Sequence, residues 1–158
     1  MFKVGDKIVY PMHGAGTIES IEEREILGEK QKYYVMKMPV GDIKVMVPTK
    51  NAELIGVRDV VSNDVAQNVL EVLSAGPTDL STNWNKRYRE NVEKLKSGLL
   101  PEVAKITKLL ILKDRRKSLS NAERKMLSYA KSALISEIGL SKNMDYKEIE
   151  KLLMEKIG

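Results

Sequence analysis

Ile43-Lys44-Val45-Met46-Val47-Pro48 places a β-branched residue at every second position and ends at a proline. Successive side chains leave a strand on opposite faces, so this is the pattern of a half-buried strand. It predicts Ile43, Val45 and Val47 inward, with Met46 outward beside Lys44. Working back toward the N-terminus, Lys7-Ile8-Val9-Tyr10 is a β-rich run stopped by Pro11, and His13-Gly14-Ala15-Gly16 reads as a loop with two glycines. Thr17 to Ile26 forms a longer, charged strand, Leu27-Gly28-Glu29 a turn, and Tyr33 to Met38 a strand ended by Pro39-Val40-Gly41-Asp42. Several short strands in so few residues predict a small SH3-like or Tudor-like β-barrel over residues 1–55.

Downstream the period changes to that of helices. Asn63 or Asp64 is placed to cap a helix carrying Val65, Val69, Leu70, Val72 and Leu73, which breaks at Ser74-Ala75-Gly76-Pro77-Thr78-Asp79. A second helix is expected from Asn83 to Leu95, stopping near Ser97-Gly98, and Pro101 suits the first turn of a third with Val103, Ile106, Leu109 and Leu110. Ser120-Asn121-Ala122-Glu123 is a capping-box pattern, in which the Ser hydroxyl reaches the Glu amide and the Glu side chain reaches back. The helix it opens lines up Met126, Leu127, Ala130, Leu134 and Ile138; a last helix near Asp145 to Ile157 presents Ile149, Leu152 and Leu153. The expected class is therefore α+β: a β-barrel over residues 1–55, then an all-helical bundle over residues 56–158.

Charge follows the same division. The 158 residues carry a net charge of +5. Residues 1–62 hold nine Lys/Arg and nine Asp/Glu, so all of the excess lies in the helical part. A neutral unit joined to a basic one suggests two surfaces with different partners. There is no cysteine, no apolar signal-like start and no aliphatic run long enough to span a bilayer, which suits a soluble cytoplasmic protein without membrane contact. The chemistry of an enzyme is also missing. His13 is the single histidine and lies in a glycine-containing loop; Gly14-Ala15-Gly16 lacks the offsets of a phosphate-binding fingerprint; no His/Asp/Glu cluster has metal-ligand spacing. We expect no catalysis, no cofactor, no metal and no small-molecule substrate.

The one tryptophan stands in Ser81-Thr82-Asn83-Trp84-Asn85-Lys86-Arg87-Tyr88-Arg89. On a helix, Trp84, Tyr88, Val92 and Leu95 fall within an arc of about 80°. Such a stripe is core by default. A first-turn position beside the Pro77 connection also lets a side chain overhang the bundle, while Lys86, Arg87 and Arg89 project from other sides of the turn. A flat ring flanked by cations suits a distorted nucleic-acid step, with the phosphates held beside it. Arg124 and Lys125, with Lys113, Arg115, Arg116 and Lys117 just before them, form either solvated surface or a second strip for a DNA backbone. Arg24, in an acidic strand, is expected to pair with a neighbouring Glu unless a partner protein claims it. Tyr10, Tyr33 and Tyr34 supply either part of an aromatic cage or core.

Phe2-Lys3-Val4-Gly5-Asp6, Val9-Tyr10-Pro11 with His13-Gly14, Val47-Pro48, Asn51-Ala52-Glu53 and Val57-Arg58-Asp59-Val60 resemble the N-terminal domain of the CarD family of bacterial transcription regulators. Thr82-Asn83-Trp84 with Arg87-Tyr88, Leu119-Ser120 with Ala122-Glu123, and Met126-Leu127 resemble that family's helical domain, in the same order. The resemblance implies a Tudor-like domain, similar to the polymerase-binding module of transcription-repair coupling factors, that docks on the β subunit of RNA polymerase. It implies a helical domain lying against promoter DNA at the upstream edge of the melted bubble. There the family tryptophan, matched by Trp84, wedges into the minor groove and hinders bubble collapse. Arg24 and Ile26 match positions on the polymerase-facing strand; a second, basic position on that face is here Met46, which implies docking less sensitive to salt. Arg89 and Arg124 match positions associated with the DNA backbone, and Lys86 and Arg87 are added as their neighbours. No base sequence need be read. The competing expectations are an interaction adaptor whose basic helices are only solvated surface, and an RNA-binding accessory protein.

Overall fold

The computed structural model describes residues 1–11, 13–39, 43–74 and 84–158, with residues 84–87 described in their backbone only. Among the described residues, five strands, β1 (Lys7–Tyr10), β2 (Gly14–Ile26), β3 (Glu29–Lys37), β4 (Lys44–Pro48) and β5 (Arg58–Asp59), precede five helices, α1 (Asn63–Leu73), α2 (Trp84–Ser97), α3 (Leu100–Arg116), α4 (Asn121–Lys142) and α5 (Tyr146–Ile157). The class is α+β. The strands form one antiparallel sheet in the order β4-β3-β2-β1-β5. Strand β5 comes from the segment leading into the helices and pairs Ile8 with Asp59 and Val9 with Arg58.

The β2–β3 hairpin turns on Leu27 and Gly28, both at positive φ (53° and 81°), the two-residue turn whose twist matches the flanking strands. Strand β2 begins earlier than expected: Gly14 to Gly16 belong to the strand, not to a loop. The glycines serve close packing. A Cβ on Gly16 would lie 2.6 Å from the Lys37 carbonyl oxygen, and one on Gly14 would meet Ser136 Oγ at 3.1 Å and the Ala133 backbone at 3.6 Å. Helix α4 therefore lies almost directly on the start of β2.

One sheet face holds Ile8, Ile18, Tyr34, Met36, Val47, Ala52 and Val57, all buried. Val47 is fully buried and Val45 half-buried, as the alternation requires, but Ile43 is 60% exposed. It precedes β4, so the strand's alternation does not reach it. Met46 points outward and is 39% exposed. Tyr34 is core: its ring meets Phe2 edge-on at 5.8 Å and its hydroxyl accepts the Phe2 N–H. Tyr33, its neighbour in β3, faces the other way and donates to Gln31, while Tyr10 stacks on His13 at 4.3 Å. No cage forms from these three tyrosines.

The helical core is built from Leu70, Leu73, Leu100, Ile106, Leu110, Leu134, Ile135, Ile138 and Ile149, among others. Ser62, not Asn63 or Asp64, caps α1, accepting the Val65 N–H at 3.3 Å; Asp64 lies in the first turn, where the helix dipole favours its charge. Pro101 occupies the first turn of α3. The capping box at α4 is complete: Glu123 N donates to Ser120 Oγ at 3.2 Å, and Ser120 N donates to Glu123 Oε1 at 3.1 Å. Lys113 of α3 donates to the same carboxylate and is itself mostly covered. Burial opposes ionisation of Glu123. The hydrogen bonds from Lys113 and Ser120, with the lysine charge, outweigh it and hold the carboxyl below its ordinary 4.5.

Two outcomes follow from this packing. Gly16→Ala is expected to lower the unfolding free energy by about 1–3 kcal/mol, the cost of overpacking at a backbone contact; an unchanged urea midpoint would contradict the close approach. A carboxyl depressed on folding contributes stability that is present above its unfolded value and is lost as pH falls through its lower folded value. Thermal melts of the wild-type protein should therefore weaken as pH drops below 4.5. Glu123→Gln should show a shallower acid slope; parallel curves would contradict the assignment.

Candidate functional site

Two surfaces at different places in the fold carry the candidate residues. The first is on the sheet. Cross-strand pairing skips Glu19, leaving a bulge between Ile18, opposite Met36, and Ser20, opposite Val35. A bulge re-aims every side chain beyond it. The face that begins with Ala15 and Thr17 therefore continues as Ser20, Glu22, Arg24 and Ile26. Regular alternation through Glu19, with no bulge, would point Arg24 and Ile26 to the opposite face. Met46 pairs with Val35, itself opposite Ser20, and so joins Arg24 and Ile26 on this face. Arg24 and Ile26 are next neighbours on this face of β2, and Met46 stands apart from them. Met46 is two strands across and four residues back, about 10 Å and about 13 Å at ordinary strand spacings.

Ile26 is 51% exposed, and the Arg24 side chain is 57% exposed. Arg24 bonds to Glu22 at 2.8 Å, the neighbouring glutamate that the sequence suggests. So open a pair contributes little to stability and yields readily to a partner. Near the bulge, Lys44 bonds to Glu19 at 2.9 Å and holds that carboxyl below its usual range.

The second surface is at the start of α2 and α4. Helix α2 begins at Trp84 and packs on α3 and α4. Its apolar stripe is graded: Leu95 is 6% exposed, Val92 half-buried and Tyr88 36% exposed. The stripe rises out of the bundle toward the N-terminus of the helix. The side chains of Trp84, Lys86 and Arg87 lie outside the described residues. Arg89 and Arg124 are exposed, as is Lys125, and none of the three has an ion-pair partner among the described residues. A groove lined by Tyr88, Val92, Asn121, Lys125, Met126 and Tyr129 runs between the two helices.

The expected second basic strip is only partly present. Lys113 is committed to Glu123, and Arg115 donates to the Gly158 carbonyl; Arg116 and Lys117 remain exposed. Lys113 is removed from the strip because the capping carboxylate is a closer, partly covered partner.

One polar centre escaped the sequence reading. Glu137, 2% exposed, binds Arg58 of β5 through both carboxylate oxygens, at 2.7 and 2.8 Å. The signal was a glutamate inside the apolar run Leu134-Ile135-Ser136-Glu137-Ile138. Among the described residues no group of three or more His, Asp or Glu could hold a metal ion, and no helix is long and apolar enough to cross a membrane.

Comparison with known proteins accounts for both parts of the chain. Residues 2–61 match the CarD-like/TRCF RID domain, and residues 68–154 match the CarD C-terminal domain. A Bacillus subtilis (strain 168) protein named "Putative transcription factor YdeB" is 39% identical over 150 residues, covering 95% of this chain and 98% of that protein. The chain belongs to the CarD family, a non-enzymatic family of transcription factors that interact with RNA polymerase.

Proposed function

We propose that the protein docks on the β subunit of RNA polymerase through the sheet face carrying Arg24, Ile26 and Met46, and stabilises the promoter open complex through its helices. The polymerase-facing unit is residues 1–55 with β5 completing its sheet; the DNA-facing unit lies within residues 56–158. Trp84 acts as a wedge in the minor groove at the upstream edge of the bubble, while Lys86, Arg87, Arg89 and Arg124 hold the phosphates. The site of action is the bacterial cytoplasm.

The observation that carries this reading is the graded stripe of α2. Exposure rises from Leu95 through Val92 to Tyr88, one turn before Trp84 is reached, and Arg89, Arg124 and Lys125 flank that end without intramolecular ion pairs among the described residues. A ring offered where stacking is already broken need not supply the full unstacking energy. Unpaired cations beside it attract phosphate without reading bases. Tethering to polymerase raises the local concentration of the helical surface at the promoter, so weak affinity for free DNA suffices. Met46 adds apolar contact area at a position where a cation would add salt-sensitive attraction.

Trp84→Ala is expected to shorten the lifetime of polymerase–promoter open complexes while changing unfolding free energy by less than about 1 kcal/mol. A stability loss of about 3–5 kcal/mol, that of a buried Trp, would instead identify a core residue. Arg24→Glu should weaken pull-down of the polymerase β subunit and leave binding to free DNA unchanged; undiminished pull-down would remove Arg24 from the docking surface.

A further inference from the structure

The proposed function uses two surfaces on different elements, and something must set their relative position. We propose that the Arg58–Glu137 pair is a positioning lock that fixes the polymerase-facing sheet against the DNA-facing helices; this deepens, and rests on, the bridging role proposed above. Glu137 lies within α4, and its carboxylate accepts the two guanidinium bonds from Arg58 and a third from the Val61 N–H at 2.9 Å. Arg58 in turn donates to the Gly98 carbonyl at 2.6 Å, at the junction of α2 and α3, and to its neighbour Asp59. One ion pair thus ties together the edge strand β5, the segment before α1, the C-terminal half of α4 and the junction that follows α2.

The chemistry is that of orientation. A forked Arg–carboxylate pair has two parallel bonds and little freedom to rotate. Buried ion pairs are commonly no better for stability than apolar packing, because desolvation offsets their attraction. What the pair adds is a single allowed geometry. Its neighbours reinforce that geometry along the same side of α4: Ala15 N donates to Ser136 Oγ at 3.0 Å, Lys7 Nζ to the Leu140 carbonyl at 3.0 Å, and Ser141 Oγ to the Val61 carbonyl at 2.7 Å. Beside Gly98, Pro11 packs so closely that an added Cβ would stand 3.2 Å from its ring. The residue that follows α2, the helix that carries Arg89, is therefore held against the end of β1 and, through Arg58, against β5. A stiff connection of matched span gives a higher effective concentration at the second site than a loose one.

Glu137→Gln keeps shape and an acceptor but loses the charge, and Arg58→Lys keeps the charge but loses the fork. Both are compared with wild type for polymerase β-subunit pull-down, free-DNA binding, thermal unfolding and open-complex lifetime. The expected result is folded variants with each separate binding within about twofold of wild type and a gain in open-complex lifetime reduced by about tenfold or more. The chain has no native cysteine, so spin labels at Lys30→Cys on β3 and Lys151→Cys on α5 report the geometry independently of function. Their distance distribution should be narrow in wild type and broad in both variants. Folded variants with an unbroadened distribution overturn the lock, as does loss of folding in both, which would make the pair a stability element. A broadened distribution alongside a wild-type protein that gives no lifetime gain supports the lock and refutes the bridging role.

Discussion

A glutamate that is 2% exposed must be neutralised or matched, and in this fold it is matched by an arginine arriving from a different structural layer. An unpaired buried carboxylate would cost several kcal/mol, so the layers cannot separate at this point without exposing it to water. The demand reaches back into the sequence. Strand β5 is only two residues long, Arg58 and Asp59. Its pairing to β1 holds Arg58 at the sheet edge where the fork reaches α4. The glycines of β2 meet the same demand from the other side. Without Cβ atoms at positions 14 and 16, α4 and β3 come close enough for Ser136 to receive the Ala15 N–H and for the Glu137 turn to lie over the sheet.

The sheet and the helices each leave one area unfinished. On the sheet, the bulge at Glu19 turns Arg24 and Ile26 to the face that carries Met46, beyond the reach of α4. Apolar area and a loosely paired cation remain there together. At the bundle, the stripe of α2 climbs into solvent beside cations that have no internal partners among the described residues. These are complementary deficits: one surface suits a protein with mixed apolar and acidic character, the other a polyanion. A family of transcription factors that interact with RNA polymerase is a natural setting for such a pair, and in the proposed mechanism a fixed geometry between them would make the two contacts a bridge.

Much of this was legible in the chain. Local rules located β1, the Leu27-Gly28 turn, the Ser120–Glu123 capping box and the approximate bounds of the helices, because each rests on backbone preferences within a few residues. The errors came where tertiary partners decide. Gly14 and Gly16 read as loop because their reason, the Lys37 carbonyl and α4, is distant in sequence. Ser62 outcompeted Asn63 and Asp64 as the cap of α1 by a shift of one residue. Lys113 read as solvated surface or part of a basic strip because its partner lies across a helix junction. The bulge could not be seen at all, since nothing in Thr17 to Ile26 marks Glu19 as unpaired. The side chains of Trp84, Lys86 and Arg87, assigned to DNA in the proposed function, lie outside the described residues.

Decay of one promoter's open complex, followed after a competitor challenge with and without saturating protein, tests the bridging mechanism most directly. The mechanism predicts slower decay in the presence of the protein. An unchanged decay rate, with the protein demonstrably bound to polymerase, would contradict it.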